Sequence, residues 1–333
     1  MATIKDVAKA AGVSVATVSR VVNKSPNASE ASIEAVTLAM KQLGYRPNAT
    51  ARALVSQSTN TVGVLVSDVS DPFFGTLIKT VDDIARQNGK HTLIGNGYHN
   101  AEEERQAIEL LMNSRCDAFV IHAKALSDQE LIDYTQEMPT MVLINRYIPE
   151  LADRCIAFDN FRGTYLATDY LIRLGHRHIA YISSTHSIED TNQRLQGYQA
   201  ALHAHKMSPE QAYVEYGEPT AEGGELAMTC LLSKSLPITA VVAYNDFMAA
   251  GAISILDENN IHVPDEISVV GLDDSLIARY IHPRLTTIRY PIQLMAEQAA
   301  QLTIALSRGE HVGTKPTIYT PTLVQRKSAG RVR

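Results

Sequence analysis

No stretch of the 333-residue sequence is apolar for long enough to form a secretory h-region or to span a membrane. The start, MATIKDVAKAAGVS, has a lysine near the terminus but no such run, so the chain is expected in the cytoplasm, with no membrane partner. Cysteine is scarce. Cys116, Cys155 and Cys230 lie far apart without C-x-x-C spacing, which excludes a zinc ribbon or a redox pair and predicts reduced thiols. Low-complexity tracts are absent, and charged residues make up 20% against 45% hydrophobic. That balance excludes a disordered or fibrous chain and leaves a globular one of two or three compact units.

The formal charge of −6 argues against nucleic acid if it is spread evenly, and it is not. Residues 1–58 hold seven Lys or Arg against three Asp or Glu, a balance of +4, so the remainder carries −10. Such asymmetry implies a small basic reader joined to an acidic body.

Within the basic part, Thr3 and Asp6 form a capping pattern ahead of Ile4, Val7, Ala8 and Ala11 on one face, and Gly12 ends that helix. Ser14 caps a second helix over about 15–22, striped by Val18, Val21 and Val22. A third helix follows Ser29 and stops at Gly44. Two short helices joined by a tight glycine turn, with a third across them, match a helix-turn-helix. The outer face of the second helix offers Ser14, Thr17, Ser19, Arg20 and Asn23, groups suited to phosphates and base edges. A purely structural three-helix cluster leaves that face without purpose. Pro47 then opens an Ala-rich linker, able to form a helical turn or two once something packs on it.

From Thr61 short β-branched runs (TVGVLVS, HTLIGN, CDAFVIHA, MVLIN) alternate with amphipathic stretches, and a second such series follows Phe158. This is βαβ patterning, and it predicts two parallel-sheet α/β lobes with a ligand beyond the carboxyl ends of the strands. Other chemistries lack parts. Gly95-x-Gly97 has no third glycine and no acidic partner about 20 residues on, which excludes a dinucleotide fingerprint. His176 and His178 have no third ligand at matched spacing, so no metal or other cofactor is expected. Ser183, Ser184, His186 and Asp190 have no nucleophile elbow, and the chain is not expected to be an enzyme.

The runs TIKDVAKAAGVSVATVSRVVN, YRPNATARAL, NDFMAAGA, ISVVGLDD and RLTTI closely resemble the lactose and galactose repressor family. VSDPFFG, LIGNGYHN, ERQAIE, MVLINR and RLQGY are similar to its galactose-operon branch. The resemblance covers almost the whole chain. It implies a helix-turn-helix headpiece over 1–46, a hinge helix and linker over 47–59, and a two-lobed periplasmic-binding-protein-like core. One lobe is placed at 60–158 plus 290–318, the other at 159–289 plus 319–330. The family positions further imply apolar base contacts from Val15 and Ala16, guanine reading by Arg20, and phosphate contacts from Thr3, Ser14, Thr17, Ser19, Asn23 and Tyr45. Asn48 and Ala51 join them in the hinge, and Leu54 takes the place of a minor-groove wedge.

A neutral sugar is held by hydrogen bonds to its hydroxyls and apolar contact with its C–H faces. The family positions for that role are Asn145, Arg194, Asn245 and Asp273, with Phe73 and Phe74 as walls and Asp71 and Tyr290 nearby. Asp274 reads as a cap or a contact between lobes. Asn145 stands where some relatives carry Asp, and Glu218-Pro219 where others carry an aromatic, so D-galactose rests on the branch resemblance. The resemblance thus implies a homodimeric repressor on a pseudo-palindromic DNA operator, relieved by a small sugar. The chain ends in SAGRVR without a leucine heptad, which also favours a dimer over a tetramer. Open alternatives are another sugar or nucleoside as effector, a dual repressor and activator, and a two-lobed sugar-binding protein or enzyme. The last leaves residues 1–58 unexplained.

Overall fold

The computed structural model describes residues 2–23, 27–45, 59–310 and 317–332. The chain forms two compact units, residues 1–59 and 60–333. In the first, α1 (Ile4–Ala11), α2 (Val15–Val22) and α3 (Glu30–Leu43) follow the predicted caps. Thr3 and Asp6 close a reciprocal capping box, and Gly12 leaves α1 at φ 65°, a left-handed position that glycine takes without strain. Val7, Ala8, Val18, Val36 and Ala39 make the core, with Ile4, Val21, Met40 and Tyr45 packed around it.

The second unit contains two lobes. The first lobe's chain runs β1 (Thr61–Val66), α4 (Pro72–Gln87), β2 (His91–Asn96), α5 (Ala101–Asn113), β3 (Ala118–Ile121), α6 (Asp128–Glu137), β4 (Met141–Ile144) and β5 (Cys155–Phe158). The second lobe follows with α7 (Asn160–Arg173), β6 (Ile179–Ser184), α8 (Glu189–Ala204), β7 (Val214–Gly217), α9 (Ala221–Ser233), β8 (Ala240–Ala243), α10 (Asp246–Glu258), β9 (Ser268–Asp273), α11 (Leu276–Tyr280) and β10 (Thr286–Arg289). The chain then returns through α12 (Ile292–Ser307) and β11 (Thr317–Tyr319) before ending at β12 (Thr322–Val324). The sheet orders are β11-β5-β4-β3-β1-β2 and β12-β10-β9-β8-β6-β7, with β12 alone antiparallel to its neighbour among the described strands.

Each sheet is covered on both faces, which is why its strands read as continuous apolar runs. Successive residues of β1 alternate between faces. Val64 and Val66 meet Leu77 and Val81 of α4 and Ala296 and Ala299 of α12, while Leu65 meets Ile108 and Leu111 of α5. In the second lobe Tyr181 and Val242 pack on Tyr198 and Leu202 of α8, and Ile182 and Val241 on Met228 and Leu231 of α9. The architecture is the helical headpiece and paired parallel α/β lobes predicted from the alternation of strands and helices. No described helix is long and apolar enough to cross a membrane.

Strand order places β1 between β3 and β2, and β6 between β8 and β7. At each such point successive crossovers leave on opposite faces of the sheet, and a crevice opens beyond the carboxyl ends.

Candidate functional site

In the headpiece unit, Ser14 Oγ accepts the Thr17 N–H at 3.1 Å and lies 2.9 Å from the Thr17 hydroxyl. Ser14, Val15, Ala16, Arg20 and Asn23 are exposed, and Thr17 and Ser19 are half-buried. Arg20 takes part in no ion pair among the described residues, so its guanidinium is free for a phosphate or a base edge. Thr3 gives its N–H and hydroxyl to Asp6, each at 2.8 Å, and is spent on the cap. Tyr45 packs on the headpiece core. Asn48, Ala51 and Leu54 lie outside the described residues.

In the second unit the carboxyl ends of both sheets open onto one cleft. It is lined by Asp71, Phe73, Phe74, His99, His122, Asn145, His186, Ile188, Asp190, Arg194, Pro219, Tyr244, Asn245, Phe247 and Asp273. Each strand end contributes for the same reason: the last residues before a crossover point out of the sheet, toward the crevice. Asp71 comes after β1, His99 after β2, His122 after β3, Asn145 after β4, His186 after β6 and Asn245 after β8. Several of them carry the backbone strain typical of binding sites. His99 has φ 52°, Asn145 57° and Asp273 120°.

Among the described residues two cations stand at the cleft, Arg194 in its lining and Lys124 behind it, and protein groups hold both. Lys124, buried beyond β3, donates to Asp190 Oδ1 at 2.6 Å across the lobes and to the Asn145 carbonyl. Arg194 of α8 donates to Asn160 Oδ1 at 2.8 Å and to the Tyr244 carbonyl at 2.7 Å, and lies over the Tyr244 ring at 4.3 Å. Its other nitrogen is 3.9 Å from Asp273. Asn145 Nδ2 donates to Asp190 Oδ2 at 2.8 Å, while the buried Asn145 Oδ1 has no partner among the described residues. Ser67 Oγ sits 3.2 Å from His99 Nδ1 and 3.1 Å from His122 Nδ1, and the His99 and His186 rings face each other across the cleft at 4.8 Å.

The electrostatics follow from burial. Burial pushes His99 down to about 4, helped by His186, and drives His122 well below the usual range, so both imidazoles are neutral at pH 7. Burial likewise raises Asp71, and raises Asp273 well above an ordinary carboxyl despite Arg194. Burial acts the same way on Asp190, but the Lys124 and Arg194 charges together outweigh it and hold that carboxyl low. The result is a cavity with aromatic walls, the neutral His99 and His122 and two raised carboxyls, in which the charged Asp190 is paired with Lys124. Such a lining suits a neutral polyhydroxyl ligand and disfavours a phosphate.

The sequence-predicted residues Asp71, Phe73, Phe74, Asn145, Arg194, Asn245 and Asp273 all line this cleft. Asn245 is partly spent on the fold, its Oδ1 capping α10 through the Met248 N–H at 2.8 Å and its Nδ2 donating to the Pro219 carbonyl at 2.9 Å. Tyr290 is not in the lining. Its buried ring stacks on Phe158 at 4.0 Å and meets the Phe73 edge at 5.0 Å. Asp274 holds Arg289 at 2.9 Å and pairs with Arg326. Sequence reasoning passed over His99, His122, Phe247 and the Lys124–Asp190 pair, having weighed His186 and Asp190 only as catalytic groups. The two residues of that pair stand 66 positions apart, Lys124 just beyond β3 and Asp190 on the first turn of α8, so no local pattern joins them.

Residues 3–48 match the model of bacterial regulatory proteins, lacI family, and residues 168–329 match that of a periplasmic binding protein-like domain. Over 328 residues the chain is 54% identical to the HTH-type transcriptional regulator GalR of Escherichia coli (strain K12), covering 98% of this chain and 96% of that one. It is 49% identical to the HTH-type transcriptional regulator GalS of Salmonella typhimurium (strain LT2), over the same shares. Among solved structures, the Lac repressor dimer bound to operator and the anti-inducer ONPF matches with a TM-score of 0.85 at 28% identity, over 99% of both chains. The transcriptional regulator CelR–cellobiose complex matches with a TM-score of 0.72 at 31% identity, over 98% of this chain and 100% of that one.

Proposed function

The chain belongs to the lacI family of bacterial regulatory proteins, and from that premise we propose that it is a cytoplasmic homodimeric repressor released from its operator by D-galactose. On this reading the chain divides into the headpiece 1–46, the hinge 47–59, and lobes 60–158 with 290–318 and 159–289 with 319–330. The exposed face of α2 enters the major groove, where Val15 and Ala16 contact a thymine methyl and Arg20 a guanine, with Ser14, Thr17, Ser19 and Asn23 at the phosphates. Leu54 wedges a base step in the minor groove, with Asn48 and Ala51 as further DNA contacts.

The observation that carries the sugar assignment is the cleft chemistry. Lys124 is held by Asp190 and two Arg194 nitrogens by Asn160 and Tyr244, and the polar atoms left over are the Arg194 nitrogen 3.9 Å from Asp273, the neutral His99 and His122 imidazoles, Asn145 Oδ1 and protonatable carboxyls. Arg194, Asn145 and Asp273 bind the hydroxyls, and Phe73, Phe74 and Phe247 cover the C–H faces. Binding of the sugar draws the lobes together and alters the surface that orders the hinge, so operator affinity falls. By linkage the operator lowers sugar affinity by the same factor.

The deciding experiment is a fluorescence-anisotropy titration of an operator selected from random DNA, repeated with D-galactose, D-glucose and galactose 1-phosphate. D-Galactose alone among the three should weaken operator binding. Tight binding indifferent to all three refutes galactose as effector, and a response to the phosphate refutes the neutral-ligand reading of the cleft.

A further inference from the structure

Glu104 lies on the first turn of α5 and is wholly buried, outside the effector lining. A buried carboxylate is costly unless several donors satisfy it. Three consecutive main-chain N–H groups do so. Glu104 Oε1 accepts from Lys124 at 2.9 Å and Ala125 at 3.1 Å, and Oε2 from Ala125 at 2.9 Å and Leu126 at 3.0 Å. The carbonyls of the same turn are held from the other side. Arg146 donates to Lys124 O at 3.3 Å and to Leu126 O at 3.2 Å, with its charge matched by Asp128 at 2.6 Å. A carboxylate on the amides and a guanidinium on the carbonyls leave residues 124–126 one backbone path.

The glycine pair that fails as a dinucleotide motif finds its reason here. A Cβ on Gly97 would lie 2.6 Å from Glu104 Cγ, and one on Gly95 would lie 3.1 Å from Ala107 Cβ. Two glycines at the end of β2 let α5 approach closely enough to bury the Glu104 side chain under the turn.

What the turn delivers is Lys124, whose side chain is 1% exposed and whose ammonium crosses to Asp190 of the other lobe. We infer that Glu104 is a positioning residue of the effector site: by gathering the amides of Lys124, Ala125 and Leu126, it fixes the turn that aims Lys124 at Asp190. Asp190 in turn holds Asn145 Nδ2, which leaves Asn145 Oδ1 as the acceptor open to a ligand hydroxyl. The inference rests on reading the cleft as the effector site, while Glu104 itself touches no effector.

The test is calorimetry of D-galactose against the full chain, with operator affinity measured in parallel. Glu104→Gln keeps the size of the side chain but turns an amide N–H toward N–H donors, and should weaken sugar binding about tenfold, the scale of a charge-assisted hydrogen bond. Operator affinity without sugar should stay within about twofold, as for a change remote from that surface. Gly97→Ala, which displaces the carboxylate without removing it, should reproduce the sugar defect. In a Lys124→Met background Glu104→Gln should add no further loss, because the two act in series. Native sugar affinity in Glu104→Gln, or losses that multiply in the double variant, overturns the proposal. Should the native chain fail to bind D-galactose, the effector assignment falls, and hydrogen exchange on the ligand-free protein decides this point alone. Selectively faster exchange at Lys124, Ala125 and Leu126 in Glu104→Gln supports the clamp, and unchanged rates refute it.

Discussion

Asp246 is wholly buried and held by hydroxyls and one N–H rather than by a cation. Its Oδ1 accepts from Thr287 Oγ1 at 2.5 Å, and its Oδ2 from the Ser275 N–H at 2.7 Å and hydroxyl at 3.0 Å. Burial outweighs those bonds and pushes the carboxyl up to about 7. Because the folded value exceeds the unfolded one of about 4, the stabilising contribution is complete below that lower value and is lost as pH rises through about 7. Asp246→Asn removes the titration and keeps the acceptor oxygen. The melting temperature of the variant relative to the native chain should therefore improve by a few degrees between pH 5 and pH 8. Differential scanning calorimetry across that range checks it, and a difference independent of pH sinks it. At this scale legibility was uneven. Asn145, just beyond β4, and Arg194, on α8, were found because each stands at a position the family resemblance assigns to the effector. His99 and His186 were not, because their contact spans two lobes and no local pattern encodes it. Tyr290 also follows a strand end, yet its ring turns inward onto Phe158, a choice set by packing that leaves no trace in spacing.

The helices of the headpiece were the most legible elements, since each cap is a local hydrogen bond written in adjacent residues. Ser14 and Arg20 on α2 separate folding from recognition. Ser14→Ala removes the cap, a loss of about 1 kcal/mol, so exchange of the α2 amides should accelerate about fivefold and operator binding should weaken with it. Arg20→Met touches no cap or core contact. It should leave α2 exchange unchanged and still weaken operator binding by about tenfold or more, the cost of losing one good base contact. Exchange spectrometry beside gel-shift titration distinguishes the two, and an Arg20→Met protein with native operator affinity defeats the proposed readout. Strands were legible as apolar runs, but their order was not, because a run buried on both faces carries no mark of its neighbours. β7 starts at Val214, after a tight turn over Gln211–Tyr213, and the Tyr213 hydroxyl lies 3.0 Å from His178 Nδ1.

For the second unit as a whole, the surface that most needs a partner is the groove bounded by Pro72 and Thr76 of α4, by α11 and by the start of α12. Leu276 is 68% exposed, Tyr280 72% and Leu294 56%, with Arg279 and Arg289 at the rim. Large apolar side chains gathered at one groove mark a protein contact rather than ordinary surface. A second copy of this chain is the occupant that repression requires, because a single headpiece makes few contacts and two half-sites must be engaged together. The groove shares Phe73, Phe247 and Asp273 with the cleft, but Leu276, Tyr280 and Leu294 line the groove alone, so assembly and sugar binding are separable by mutation at those three. Leu276→Asp places a charge where apolar area is to be buried. Sedimentation should then show monomers at concentrations where the native chain is dimeric, and operator affinity should drop roughly a hundredfold or more as the second half-site ceases to be effectively intramolecular. D-Galactose affinity in the same variant should remain native. A Leu276→Asp chain that still sediments as a dimer places the interface on another face, and one that is monomeric yet binds operator at full strength removes the need for a dimer in recognition.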